Sequence, residues 1–250
     1  MNIMIFDTET TSLDKPFCYN VGYVITDVES KTILCKRDFV VEQVWHNPML
    51  FVTAYYADKR NIYIASMRSR KTKMDKFGYI CQTMIRDIKN FNVESAYAFN
   101  SAFDEKVFNY NCDWFKCNNP FDNIPIYDIR GYAHHFICDN NYFDWCEQYE
   151  RFSESGNYSS TAENVYQFIS GNYDFVEDQT ALSDSEIETK ILFSALANGA
   201  EIGEDYKAFR SLTRPQKKIV NVKLNNKVVY TAEVDSIRYM KNNNTLILKG

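Results

Sequence analysis

The apolar run Ile3-Met4-Ile5-Phe6, continuing as alternation through Asp7, Thr8 and Glu9, predicts a strand over 2–7. Two more runs, 19–27 and 32–41, are set off by Thr11-Ser12 and by the turn residues 27–31, which implies an antiparallel three-stranded start. A helix is expected over 48–58 and another over 75–91, where Ile80, Met84, Ile85 and Ile88 are spaced for one buried face. A strand at 95–99, a helix at 102–111, a strand at 124–127 and a helix at 129–137 follow. Within 138–176 the aromatic stretches 142–145 and 149–152 read as packed and 153–160 as a loop, and Ser160-Thr161-Ala162-Glu163 caps a helix running to Ser170. Ser183-Asp184-Ser185-Glu186 opens a helix that Gly199 stops. Beyond Arg214-Pro215 the pattern shortens to β pieces at 218–224, 228–234 and 246–249, joined by Asn-rich turns. Two domains are therefore expected, a main domain over 1–214 and a small β-rich appendage over 215–250.

Composition narrows the class. At 250 residues and 45% hydrophobic, the chain can bury one substantial α/β core. No apolar run approaches the ~20 residues of a bilayer span, and Met1-Asn2-Ile3-Met4 opens into a strand rather than a signal peptide, so a cytosolic protein without a membrane is expected. Seven cysteines, an odd number, argue against a disulfide framework. Cys112, Cys117, Cys138 and Cys146, with His134 and His135 nearby, lack the paired knuckles of a zinc site and read as core thiols. The net charge of −5 does not advertise a nucleic-acid binder, but local charge does: 59–76 holds seven Lys or Arg against one Asp, including Arg68, Arg70, Lys71 and Lys73, and 207–223 holds six and no acid. Such runs are either solvated surface or phosphate contacts. Tyr55, Tyr56 and Tyr63 near the first run are candidates for stacking on bases, with core packing as the default.

The chemistry lies in four carboxylates in three segments: Asp7 and Glu9 in IMIFDTETT, Asp104 in AYAFNSAFDEKVF and Asp184 in TALSDSEIETKIL. Residues i and i+2 of a strand share a face, so Asp7 and Glu9 project together. Clustered carboxylates suit hard cations, and two Mg²⁺ or Mn²⁺ ions roughly 3.5–4 Å apart can activate water and stabilise a leaving oxygen in phosphodiester hydrolysis. The segments match the D-x-E, N-x-x-F-D (Asn100, Phe103, Asp104) and A-L-x-D (Ala181, Leu182, Asp184) motifs. In this order they resemble the DEDD superfamily of 3′-to-5′ exonucleases, over about 1–196. Small size and a Tyr- and Asn-rich make-up resemble a free-standing exonuclease of a phage or prophage.

The resemblance implies a ribonuclease-H-like α/β fold, a mixed sheet of about five strands flanked by helices with the site at the strand ends. It assigns Asp7, Glu9 and Asp184 to one divalent cation, Mg²⁺ or Mn²⁺, with Asp7 bridging to a second and Asp104 nearer that second ion. Thr8, Thr10, Thr11 and Leu13 follow the first motif where relatives hold the terminal nucleotide, and Asn100 and Phe103 are placed to line the same pocket. One position departs from the family. Where its histidine branch has a general base five residues before the last Asp, this chain has Gln179, and where the other branch has Tyr it has Thr180. Gln has no useful basicity. Divergence, service by another group, or a deliberate His-to-Gln exchange would each explain it. The implied activity is removal of nucleotides from a 3′ end of single-stranded DNA, or RNA, releasing nucleoside monophosphates. The alternatives are a nuclease-inactive nucleic-acid-binding protein that kept the fold and carboxylates, and a structural subunit that uses the C-terminal β region.

Overall fold

The computed structural model of the chain describes residues 1–51, 56–178 and 180–215 and the backbone of four strands between 218 and 249, with side chains over 1–50 and 59–215 except 179. The elements run β1 (Asn2–Thr10), β2 (Cys18–Asp27), β3 (Ile33–Val41), short helices α1 (Glu42–Trp45) and α2 (Pro48–Phe51), α3 (Tyr56–Arg68), β4 (Lys73–Asp75), α4 (Phe77–Asn90) and β5 (Val93–Ala98). Then follow α5 (Ser101–Phe115), β6 (Ile126–Asp128), α6 (Ile129–Phe136), α7 (Asn140–Gln148), α8 (Ala162–Ser170) and α9 (Ala181–Ala197). Among the described residues, six strands form one mixed sheet in the order β4-β3-β2-β1-β5-β6, one more than the expected five, because the basic stretch ends in β4 beside β3. β1 runs antiparallel to β2 and parallel to β5, so the carboxyl ends of β1 and β5 open at the same edge.

Phe6 of β1 meets Phe108 of α5 edge-on at 5.7 Å and Phe121 at 4.3 Å, which fixes α5 against one face of the sheet. The opposite face receives α9, and a glycine makes that possible. A Cβ on Gly22 would lie 2.1 Å from the Leu182 nitrogen and 2.2 Å from the Ala181 carbonyl carbon, so the helix backbone rests directly on β2. Two side chains lock this contact. Asn20 Oδ1 accepts from the Ala181 N–H at 2.8 Å, supplying the cap that Thr180 does not, and Ser185 Oγ donates to the Gly22 carbonyl at 3.2 Å. Asn20 is fully buried and is itself held by Asp38 at 2.6 Å, the Phe39 carbonyl at 2.9 Å and the Tyr63 hydroxyl at 2.9 Å.

Three expectations need correction. The helix expected at 48–58 is α2 and then α3, which runs on to Arg68 because Tyr63, Ile64 and Met67 pack on the core despite the basic residues between them; 52–55 lie outside the described residues. The segment after Cys138 contains α7, started by Asp139, which accepts from the Asn141 and Tyr142 N–H groups. α9 begins at Ala181, two residues before the Ser183-Asp184 signal, because its cap comes from Asn20, far away in sequence.

The chain divides into two compact units, Met1–Arg151 with Ser159–Arg210, and Phe152–Tyr158 with Ser211–Gly250. In the second, β7 (Lys218–Leu224) pairs antiparallel with β8 (Lys227–Val234), and β9 (Ser236–Met240), a strand not expected from the pattern, pairs with β10 (Thr245–Lys249). Tyr158 bridges both Phe152 and Leu212.

The backbone contact at Gly22 gives a direct test. Gly22→Ala should destabilise the protein by about 3 kcal/mol or more in urea unfolding, the upper end of overpacking costs, since two backbones must separate. An unchanged denaturation midpoint would contradict the contact.

Candidate active site

β1 delivers its acidic pair on the α9 side of the sheet, Asp7 opposite Gly22 and Glu9 opposite Asn20. Because the helix sits directly on Gly22, Asp184 in its first turn reaches the same place, and carboxylate oxygens of Asp7, Glu9 and Asp184 all lie within 4.8 Å of one another. Asp104 arrives from the first turn of α5. The turn between β5 and α5 uses Asn100 in the left-handed region, φ 65°, and its N–H donates to Asp128 Oδ1 at 2.8 Å. Thr8, which alternates to the other face of β1, donates to Asp104 Oδ1 at 2.6 Å. Asp104 is 2% exposed and stands just outside the group of three.

Burial and mutual repulsion dominate the electrostatics. Burial first, then Asp104, Glu188, Asp184 and Glu9, push the Asp7 carboxyl well above the usual range. Burial likewise pushes Asp104 up to about 7, against the Thr8 hydrogen bond, and Asp184 up to about 8, with Glu177 and Glu9 adding. Glu9 is raised by burial and partly compensated by Lys59 at 3.6 Å and the Tyr19 hydroxyl at 3.0 Å. Among the described residues, Asp184 Oδ1, Glu188 Oε2 and Glu177 Oε1 are buried without a hydrogen-bond partner. Hard oxygen donors, crowded, desolvated and partly unsatisfied, fit one or two divalent cations of the Mg²⁺ or Mn²⁺ kind.

The loop after β1 is well tied. Asn111 of α5 accepts from the Cys18 N–H at 3.1 Å and donates to the Pro16 carbonyl at 2.8 Å, and Lys106 donates to the Leu13 carbonyl at 3.0 Å. Thr10 Oγ donates to the Ser12 carbonyl, buried Thr11 to the Lys15 carbonyl, and Leu13 is left 75% exposed. Asn100 is exposed, and Phe103 is half-buried against the core. Gln179 lies outside the described residues. Its neighbours are joined, Asp178 Oδ1 accepting from the Thr180 N–H and hydroxyl at 3.1 and 2.9 Å. Arg68, Arg70 and Lys71 are exposed, Lys73 pairs with Asp75 at 2.6 Å, and Lys71 lines a cavity of about 460 Å³ with Asp38, Ser66, Thr72, Asp178 and Thr180.

Tyr63 is not free to stack on a base: it is 1% exposed and packs edge-on against Tyr19 and Trp45. His134 is a structural residue, its Nε2 at 2.9 Å from Ser160 Oγ and its Nδ1 accepting from the Phe209 N–H, with burial holding its pKa down to about 4. Cys112 and Cys117 converge with Cys81 rather than with Cys138 and Cys146. Sequence reading missed Glu188 and Glu177. For Glu188 the signal was its position one helical turn after Asp184, on the same face. Glu177, two residues before Gln179, is pushed up to about 7 by burial and then by Glu163 and Glu9.

No family model matches the chain, and no curated protein matches it. Solved structures do. A 3′-exonuclease in a structure of 3′-end recognition of the histone mRNA stem-loop is 13% identical over 93% of this chain and 90% of its own, with TM-score 0.56. The nuclease domain of 3′hExo, a DEDDh family member bound to rAMP, is 15% identical over 82% and 96%, with TM-score 0.52. E. coli exonuclease I in complex with a dT13 oligonucleotide is 13% identical over 79% of this chain and 41% of its own, with TM-score 0.50. The chain thus has the ribonuclease-H-like α/β fold of the DEDD exonucleases.

The raised carboxyls make stability depend on pH in a definite direction. Without cations, the folded protein keeps protons on Asp104, Glu177 and Asp184 that the unfolded chain, with carboxyls near ~4, has already released. Their stabilising contribution is therefore present in mild acid and is lost as pH rises through about 7 to 8. Thermal melts in chelator should show Tm falling between about pH 5.5 and about pH 8.5, and Mn²⁺ should raise Tm more at the upper end, where the carboxylates are ionised. A Mn²⁺ shift that does not grow with pH would contradict the cluster.

Proposed function

We propose that the protein is a divalent-cation-dependent exonuclease that removes nucleotides from the 3′ end of single-stranded DNA, or RNA, and releases nucleoside 5′-monophosphates. The observation that carries this reading is the convergence of Asp7, Glu9 and Asp184, with Asp104 beside them, at the carboxyl ends of β1 and β5. Support also comes from the neighbours of like fold, exonucleases whose structures include rAMP and dT13. Asp7, Glu9 and Asp184 would hold one cation, and Asp7 with Asp104 a second. Bound there, the ions supply an activated water and charge stabilisation for the departing oxygen.

The remaining work falls to the chain itself. Thr8 fixes the rotamer of Asp104, and Lys59 and Tyr19 fix Glu9, so the donors are pre-positioned rather than gathered on binding. Leu13, exposed on a loop that Asn111 and Lys106 tie down, would offer an apolar surface for the terminal base, and Thr10, Thr11, Asn100 and Phe103 would add to that pocket. Arg68, Arg70, Lys71 and Lys73 would meet phosphates upstream. Hydrolysis adds water across the last P–O3′ bond, so the proton leaving the water needs an acceptor. Gln179 cannot take it. That single residue favours a second reading, a nucleic-acid-binding protein that keeps the carboxylates but turns over slowly or not at all.

Digestion of 5′-labelled DNA and RNA strands with Mg²⁺ or Mn²⁺ tests both readings. The exonuclease reading expects progressive shortening from the 3′ end, release of 5′-monophosphates, and loss of activity in chelator and in Asp7→Asn. Gln179→His should accelerate single-turnover cleavage roughly 10²–10⁴-fold by restoring an imidazole near ~pH 6.5. Strand binding with no cleavage by any form would leave the binding-protein reading in place of the enzyme.

A further inference from the structure

Glu188 is an acidic group buried where the site described above gives it no role. It lies on α9 one turn beyond Asp184 and is 3% exposed, on the face that carries Ala181, Ser185 and Leu192 into the core. An apolar side chain would be the ordinary occupant of such a position. Four residues after Asp184, it lies on the same face of the helix as that carboxylate, and Asp104, Asp184 and Asp7 are close enough to interact with it electrostatically. The Phe99 backbone, at the end of β5, serves the carboxyl, but Oε2 has no partner among the described residues. An ionised Oε2 would want a donor or a cation, and a protonated one would want an acceptor. The described residues provide neither. Both protonation states are left incomplete by the described residues, and a bound cation would complete the ionised one.

We infer that Glu188 is a fifth carboxylate of the centre, completing, directly or through a bound water, the shell of the cation on the Asp104 side of Asp7. The inference rests on the exonuclease reading in one respect only, that the carboxylates hold divalent cations. The placement follows from the partners. Lys59 and Tyr19 already serve Glu9, whereas Asp104 is the charge that acts most strongly on Glu188, and no cationic side chain is in an ion pair with either among the described residues. Glu188 Oε2 would be the oxygen available to a cation held by Asp7 and Asp104. Glu188 would act as a positioning residue for that ion, without a need to touch the substrate.

The test is Mn²⁺ binding, followed by calorimetry and by the electron paramagnetic resonance of free Mn²⁺, on the wild type, Glu188→Gln and Glu188→Met. Gln keeps the shape and the Phe99 contact, Met keeps the volume, and a cooperative thermal melt in chelator shows that each is folded. The wild type should bind two ions. Both variants should keep the tighter one within about 2-fold and weaken the second by about 10–100-fold, the range that supporting groups around metal ligands command. Two ions bound with wild-type affinity by both variants would overturn the role of Glu188 and leave the metal centre standing. No Mn²⁺ bound by the wild type would overturn the cation-dependent reading itself.

Discussion

The backbone of α9 rests on β2 at Gly22, and that contact brings Asp184 and Glu188 to the acidic pair of β1. Any side chain at position 22 would hold the helix off the sheet, since its Cβ would fall 2.1 Å from a backbone nitrogen. With the gap closed, the first turn of α9 lies beside Asp7, and Asn20 caps the helix from within the sheet. The cap is more than local. Asn20 ties together Asp38, Tyr63, Phe39 and Ala181, so β2, β3, α3 and α9 are joined by one buried amide whose hydrogen-bonding capacity is filled. A fully connected network of this kind rigidifies the elements that present the carboxylates.

That rigidity is needed because the cluster opposes folding. Asp7, Glu9, Asp104, Asp184 and Glu188 raise one another's proton affinity through burial and repulsion, and Lys59 at Glu9 is the cationic side chain that relieves them among the described ion pairs. Buried like charges without compensation persist only where the surrounding structure holds them and a ligand repays the cost. The hydrophobic contacts of Phe6 with Phe108 and Phe121, the Gly22 contact and the Asn20 network hold the strained group in place from both faces of the sheet.

Much of this was legible in the sequence because it is written in short-range pattern. Alternation in β1 put Asp7 and Glu9 on one face, and the step from a strand to a helix put Asp104 in a first turn. What escaped depends on residues far apart in the chain. The true start of α9 is set by Asn20, some hundred and sixty positions away, so the local Ser183-Asp184 signal misplaced it. α3 was hidden because the basic residues mask Tyr63, Ile64 and Met67. Glu188 was passed over although it stands one turn after Asp184, and its burial becomes visible in the packing of α9. Gly22 carried no sequence signal either, since an isolated glycine in a strand can mark a bulge as readily as a backbone contact.

The central claim is that the carboxylates gathered by the Gly22 contact form a centre for divalent cations. Anomalous diffraction at the manganese edge, from crystals of the wild-type protein grown with Mn²⁺, tests it most directly. The account predicts two peaks on either side of Asp7, one touching Glu9 and Asp184 and the other towards Asp104 and Glu188. Ordered carboxylates with no anomalous peak among them, at Mn²⁺ concentrations that fill ordinary carboxylate sites, would contradict it.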